Sequence, residues 1–102
     1  MNKYLKINPK DNVCVAIENL NEGDILSVDG VNITIKNTIE TGHKFAITNI
    51  NTNENVVKYG YPIGHAIADI KVGEHVHTHN VKTNLHDNLQ YAYAPVHPKL
   101  NI

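Results

Sequence analysis

One short pattern occurs four times along this 102-residue chain: an apolar residue, two others, glycine or asparagine, two others, and a second apolar residue. Glycine reaches a positive φ at little cost and asparagine tolerates it, so each central position predicts a tight turn between extended segments. The copies are irregularly spaced, which argues against a solenoid. The pattern predicts one compact β domain that reuses one turn type. The copies are LNEGDIL (20–26), IETGHKF (39–45), INTNENV (50–56) and IKVGEHV (70–76).

Segments with strand-like patterns lie between these turns. Val31, Ile33 and Ile35 alternate with polar residues, which predicts a strand with these three side chains on one face. Asp29 and Gly30 precede this segment and are a strong signal for a β-hairpin turn.

Further segments give the fold class. Residues 55–59 and 75–81 are β-branched or alternating, and both are predicted to be strands. Residues 59–66 contain two glycines and Pro62, which argues against a regular central strand and favours a shaped loop. Residues 14–20 are compatible with a short helix or a strand. We therefore expect a mostly-β fold with many short strands and at most one or two short helices.

Composition excludes several classes of function. The net charge is −1, and the nine basic residues are all lysines that are scattered along the chain, so nucleic-acid binding is not expected. The apolar runs are too short for a membrane span, and the N-terminus lacks the apolar core of a signal peptide. Together with the single cysteine, Cys14, this predicts a cytoplasmic protein without an internal disulfide. Cys14 lies in an apolar stretch and is interpreted as a core residue.

The stretch GEHVHTHNV (73–81) places His75, His77 and His79 at every second position. In a strand these imidazoles share one face, and two of them at this spacing can reach one metal ion. Three interpretations remain open: a structural face, a metal site held by this chain, or a site completed by another chain or domain. The other potential ligands are Glu74, His43, His65 and Asp69.

Two further places suit ligand binding. His43 and Lys44 follow a turn glycine, where they can meet an anion or simply form a polar surface turn. Gly60 and Gly64 allow a ligand to approach the backbone closely, with Pro62 stiffening the segment, although these residues are also suited to shaping a sheet edge.

Several stretches resemble a known family in order and spacing. These are DNVCVAI, GHKFAI, the run KYGYPIGHAIADIKVGEHVHTHN (58–80) and the later KTNL and QYAY. They are similar to the N-terminal module of altronate dehydratase, over roughly residues 4–95. The resemblance implies an SAF domain with a β-clip fold over residues 1–83. It also implies that residues 84–102 form a C-terminal tail, which docks a partner or links to a large domain.

The resemblance also implies a function. A small subunit or N-terminal module would contribute part of the active site of a hydro-lyase in hexuronate catabolism, converting D-altronate to 2-keto-3-deoxy-D-gluconate. A large catalytic subunit or domain would complete the site, and Fe²⁺ or Mn²⁺ would bind only with it. This chain would then be inactive alone, and it could also form a homodimer. The alternatives are the small subunit of a sulfolactate sulfo-lyase and a non-catalytic docking or ligand-binding module.

Several site residues, namely His77, His79, Asn80, His43 and Lys44, follow from the same resemblance, whereas Gly60, Pro62 and Gly64 follow from the backbone argument above. His77, His79 and His43 are expected to be catalytic, and His77 and His79 are also the expected metal ligands, shared with the partner. His75 ranks below them. The residues expected to bind the sugar-acid substrate are Lys44, Asn80, Gly60, Pro62 and Gly64.

Overall fold

The computed structural model describes residues 2–84, and the regular elements within them are all β-strands. The predicted mostly-β fold is confirmed. Within this range there is no helix, and so none that is long and apolar enough to cross a membrane. The strands are β1 (Tyr4–Leu5), β2 (Val13–Ala16), β3 (Ile25–Val28), β4 (Val31–Thr34), β5 (Lys44–Ala46), β6 (Asn55–Lys58), β7 (Tyr61–Ala66), β8 (His75–Val76) and β9 (Val81–Thr83).

The strands form three small antiparallel sheets. One has the order β1-β2-β5-β8, the second is the β3-β4 hairpin, and the third has the order β6-β7-β9. Side chains that alternate along β2 and β5 enter two different apolar clusters: Val13 and Ala46 join the cluster with the third sheet, while Cys14 and Phe45 join the cluster with the hairpin. The four-stranded sheet therefore has a hydrophobic core on each face.

The four repeated turns form as predicted. Their central residues have positive φ values of 93°, 88°, 74° and 88° at Gly23, Gly42, Asn53 and Gly73. The flanking apolar residues of all four copies are buried, and the first ones pair across the domain in two antiparallel bridges. The backbone N–H groups of the four central residues donate at 2.7–2.8 Å to the carbonyl oxygens of Ile35, Ala16, Ala66 and Ala46.

The hairpin predicted at Asp29 and Gly30 is confirmed, since both residues have positive φ and join β3 to β4. The strand predicted from Val31, Ile33 and Ile35 is present as β4, which ends one residue before Ile35, but the three side chains differ in burial. Val31 is 61% exposed, whereas the other two are buried. Val31 lies directly after the turn, where it pairs with the buried Val28.

The prediction of a loop over residues 59–66 is wrong, because β7 is the central strand of its sheet. The register shifts between Val56 and Val57, and Pro62 pairs with Val57 at this irregularity, where the missing N–H of proline is tolerated. Strand β9 pairs only with the second half of β7, beyond Pro62. Gly64 is required there, because a Cβ atom would lie 2.6 Å from the Lys82 carbonyl oxygen.

The prediction of one strand over residues 75–81 is also wrong. Strand β8 ends at Val76, residues 77–80 turn, and β9 begins at Val81. The turn is needed because β8 pairs with β5, whereas β9 pairs with β7 in a different sheet. The predicted tail lies outside the described residues except for Asn84, whose backbone N–H donates to the Ile63 carbonyl oxygen.

Candidate functional site

Three histidines converge at one end of the four-stranded sheet. The Nδ1 atom of His43 lies 2.9 Å from the Nε2 atom of His75. The rings of His43 and His77 are stacked, with centroids 4.3 Å apart and planes 16° from parallel. One ring nitrogen from each of the three residues lies within 4.8 Å of the other two. We call His43, His75 and His77 the histidine cluster.

The sheet brings His43 and His75 together. His43 directly precedes β5, and His75 begins β8, where it pairs with Phe45. The backbone N–H of His75 donates to the side-chain oxygen of Asn37 at 3.0 Å, which fixes the start of β8. Phe45 is completely buried, so the pairing that aligns the two histidines is anchored in the core.

Asn80 holds the turn that carries His77. Its side-chain oxygen accepts a hydrogen bond from the backbone N–H of His77 at 2.9 Å, and its side-chain amide donates to the carbonyl oxygen of His75 at 2.8 Å. The side chain is turned inward, since Asn80 is only 8% exposed. The observed contacts of Asn80 are thus with the backbone of the histidine segment.

The surroundings of His75 and His77 favour their neutral imidazoles, because they lower the pKa of both rings. Partial burial, followed by repulsion from His43, His79 and His77, lowers the pKa of His75 to about 4. Burial, followed by His43 and Lys44, also lowers the pKa of His77. A histidine whose pKa lies below neutrality keeps a lone pair that can bind a metal ion or accept a proton.

One atom of the cluster is unsatisfied. The Nδ1 atom of His77 is buried and has no hydrogen-bond partner among residues 2–84. Buried polar atoms in native proteins nearly always have a partner, so this nitrogen is a place where a water molecule, an ion or another group can bind. The imidazole donors and this open nitrogen are compatible with a transition-metal ion.

Lys44 follows His43 in the chain and is buried within the four-stranded sheet rather than on the surface. It is 1% exposed, and it pairs with Val15 on one side and Val76 on the other. Burial, together with repulsion from Lys58, lowers its pKa to about 8. Lys44 therefore acts on the cluster through its charge, and its expected contact with a substrate carboxylate stays a prediction.

The other predicted residues lie in different surroundings. His79 is exposed, and its ring centroid is 5.2 Å from that of His75, at the edge of the cluster. His65 bonds to Asn84 through Nδ1 at 2.9 Å. Asp69 accepts hydrogen bonds from the backbone and hydroxyl of Thr52.

The glycines predicted to bind substrate have close protein neighbours. A Cβ atom on Gly60 would lie 2.8 Å from the Asn8 side chain, and Gly64 packs against β9. Pro62 is exposed on β7. Glu74, a potential ligand by sequence, accepts a hydrogen bond from the backbone N–H of Lys71 in its turn.

Comparison with known proteins identifies relatives of the whole described region. The family model "Altronate/galactarate dehydratase SAF domain" matches residues 2–84. Altronate dehydratase of Escherichia coli (strain K12) is 52% identical over 93 residues, which is 91% of this chain and 19% of the relative. Altronate dehydratase of Bacillus subtilis (strain 168) is 47% identical over 95 residues, 93% of this chain and again 19% of the relative.

A shorter match concerns a separate subunit. The (2R)-sulfolactate sulfo-lyase subunit alpha of Paracoccus pantotrophus is 45% identical over 51 residues, which is 50% of this chain and 76% of that subunit. By contrast, the chain spans about a fifth of the length of the two altronate dehydratases.

Proposed function

Because this chain belongs to the SAF-domain family of altronate and galactarate dehydratases, we propose that it is the SAF module of a sugar-acid hydro-lyase. It acts as an N-terminal part or a small subunit and contributes the histidine cluster to an active site that a larger part completes. The single observation that carries the proposal is the convergence of His43, His75 and His77. The small share of the dehydratase relatives that the chain spans supports the need for a larger part.

The cluster suits an elimination reaction. Loss of water from a sugar acid requires a base to take the proton next to the carboxylate and an acid to protonate the departing hydroxyl group. A neutral imidazole can take that proton, and the imidazolium formed can return one. The proton is thus conserved within the site, and water is the only product besides the keto acid.

A divalent ion fits this site. The resemblance implies Fe²⁺ or Mn²⁺, and the imidazole nitrogens of His77 and its neighbours are suitable donors. When bound, such an ion stabilises the negative charge that develops beside the carboxylate. A ring that held the ion could not also take the substrate proton through the same nitrogen, so metal binding and proton transfer would be divided among the histidines of this chain and the larger part.

Reconstitution tests the proposal. The chain is mixed with the large part of a dehydratase, and conversion of D-altronate is measured in the presence of Fe²⁺ or Mn²⁺. We expect activity only from the mixture, and a loss of at least about 100-fold in kcat for His77→Ala, as removal of a general acid or base typically causes. His65→Ala is the matched control, since His65 lies outside the cluster and bonds to Asn84.

Complex formation separates catalysis from docking. If His77→Ala binds the large part normally but loses turnover, the cluster takes part in the reaction. If the cluster variants change only the affinity of the complex, the module docks without contributing to catalysis, and the proposal fails.

A second candidate function is that of a sulfolactate sulfo-lyase alpha subunit. The observation that favours it is the match to most of a short, separate subunit of that enzyme. Assaying the same mixture with (2R)-sulfolactate for sulfite release decides between the two substrates.

A further inference from the structure

We propose that His43, His75 and His77 form a three-histidine site for a divalent metal ion, held entirely by this chain and binding Fe²⁺ more tightly than Mn²⁺. The inference deepens the proposed function and rests on it only for the chemical use of the ion. It replaces the expected pair of His77 and His79, shared with a partner, by a set of ligands that is complete within the described residues.

The geometry of the nitrogens supports this site. Metal–nitrogen bonds to histidine are about 2.0–2.1 Å long, so two nitrogens on one ion lie at most about 4 Å apart. The nearest pair, His43 Nδ1 and His75 Nε2, is already at 2.9 Å. All three ligand atoms lie within 4.8 Å of one another, and binding of one ion would require the His43–His75 hydrogen bond to open and the nearly parallel rings to rotate. The buried Nδ1 of His77 would gain the partner that it lacks among residues 2–84.

The repeated turn supplies an independent observation. In three of the four turns, the residue after the central position is acidic, and its carboxylate accepts the backbone N–H three residues earlier. His43 occupies this position in the remaining turn, and its ring lies against His75 and His77 instead. The imidazole stands where the fold elsewhere uses a capping carboxylate. In these three caps the backbone N–H of Asn21 donates to the Asp24 carboxylate at 2.9 Å, that of Asn51 to Glu54 at 2.6 Å, and that of Lys71 to Glu74 at 2.6 Å.

Because the side chain at this position faces other histidines instead of capping its turn, we infer that residue 43 serves the site rather than stability. We therefore expect that a mutation of His43 can remove the site without loss of stability. His43→Gln restores an oxygen acceptor that can reach the backbone N–H of Glu40, while it removes the imidazole. This variant should be at least as stable as the parent.

The three imidazole ligands predict an order of affinity among the divalent ions. Imidazole suits Fe²⁺, Ni²⁺ and Zn²⁺, whereas Mn²⁺ favours carboxylate and carbonyl oxygens, and Mn²⁺ is also the weakest binder of the divalent first-row series. A site with three histidines therefore favours Fe²⁺ over Mn²⁺. Three protein ligands also leave positions open for water or for substrate oxygens.

The test uses the full chain alone, with Co²⁺ as a spectroscopic probe and with Mn²⁺ and anaerobic Fe²⁺ for selectivity. We expect one Co²⁺ per chain, visible absorption bands of nitrogen coordination, and Fe²⁺ displacing Co²⁺ far better than Mn²⁺ does. His43→Gln, His75→Ala and His77→Ala should each weaken binding by more than the roughly 10–100-fold that loss of an outer-shell partner causes. His79→Ala and His65→Ala are matched controls and should bind as the parent does.

Thermal unfolding of the metal-free variants completes the test, because it shows that they fold. We expect His43→Gln to have a Tm equal to that of the parent or raised by roughly 4 °C. Absence of Co²⁺ binding to the parent would overturn the inference. So would binding that survives in the cluster variants but disappears in His79→Ala, or in a double variant of the two remaining histidines of the sequence, His86→Ala and His97→Ala.

The two proposals fail in different ways. If the isolated chain binds metal but the reconstituted mixture shows no turnover, the dehydratase function is rejected and the metal site is retained. If the mixture shows turnover but the isolated chain binds no metal, the metal site is rejected and the dehydratase function is retained.

Discussion

The Nδ1 atom of His43 and the Nε2 atom of His75 lie 2.9 Å apart, although 32 residues separate them in the sequence. Their contact depends on the pairing of β5 with β8, which extends over only two residue pairs. Such a short ladder needs support from its surroundings. The turn at Gly73 and the side chain of Asn80 provide that support on the two sides of β8, and both can be tested.

Gly73→Ala should destabilise the protein far more than Gly23→Ala. Both glycines have a φ near 90°, so in both variants the left-handed backbone at alanine lowers the free energy of unfolding by roughly 1–2 kcal/mol. A Cβ atom at Gly23 meets nothing within 4 Å, whereas one at Gly73 would collide with the carbonyl group of Thr34. Urea unfolding of the two variants measures the difference. Equal losses of unfolding free energy would show that the backbone at Gly73 moves away from Thr34 at little cost.

Asn80→Ala should destabilise the domain by about 1–3 kcal/mol, because it leaves partly buried backbone groups of His75 and His77 without their partner. It should also shift the NMR signals of both imidazoles. Asn80→Asp retains the acceptor for the N–H of His77, so it should restore the His77 signal better than the His75 signal. The control is Asn32→Ala, an exposed position on β4, where the change should stay within about 0.5 kcal/mol.

The turns were the most predictable part of the fold. Only a few residue types adopt a positive φ at low cost, so the sequence alone predicts the central positions of the turns, including Asn53. Strand β7 was missed because Pro62 and two glycines argue locally for a loop. What permits the strand is the irregularity at Val56 and Val57 on the neighbouring strand, which no local pattern reveals.

The site was predictable in composition but not in geometry. Alternation suggested that His75, His77 and His79 share a face, and the first two do meet, but through a turn held by Asn80 rather than along one strand. The approach of His43 depends on strand pairing across 32 residues, and local spacing carries no information about it. One signal was available in the sequence: His43 is the exception among the residues that follow the four turn centres.

Cys14 should resist alkylation in the folded protein. Complete burial raises the pKa of its thiol to about 12, and the thiolate is the reactive form. Treatment with iodoacetamide at pH 8 should leave the native chain unmodified by mass spectrometry over a time that modifies the urea-unfolded chain completely. Rapid modification of the native chain would show that the core cluster around Cys14 opens readily.

The metal-free protein should lose stability as the pH falls from about 6.5 to about 4, in part through His75. The folded state holds the pKa of His75 at about 4, below its ordinary value of 6.5, because burial and the neighbouring imidazoles disfavour the charged ring. Between these values the unfolded chain binds a proton that the folded chain does not, so protonation favours unfolding. Comparing the Tm at pH 7.5 and pH 5.0 in the presence of a chelator should therefore show a smaller drop for His75→Gln than for the parent. An unchanged drop in His75→Gln would contradict the assignment to His75.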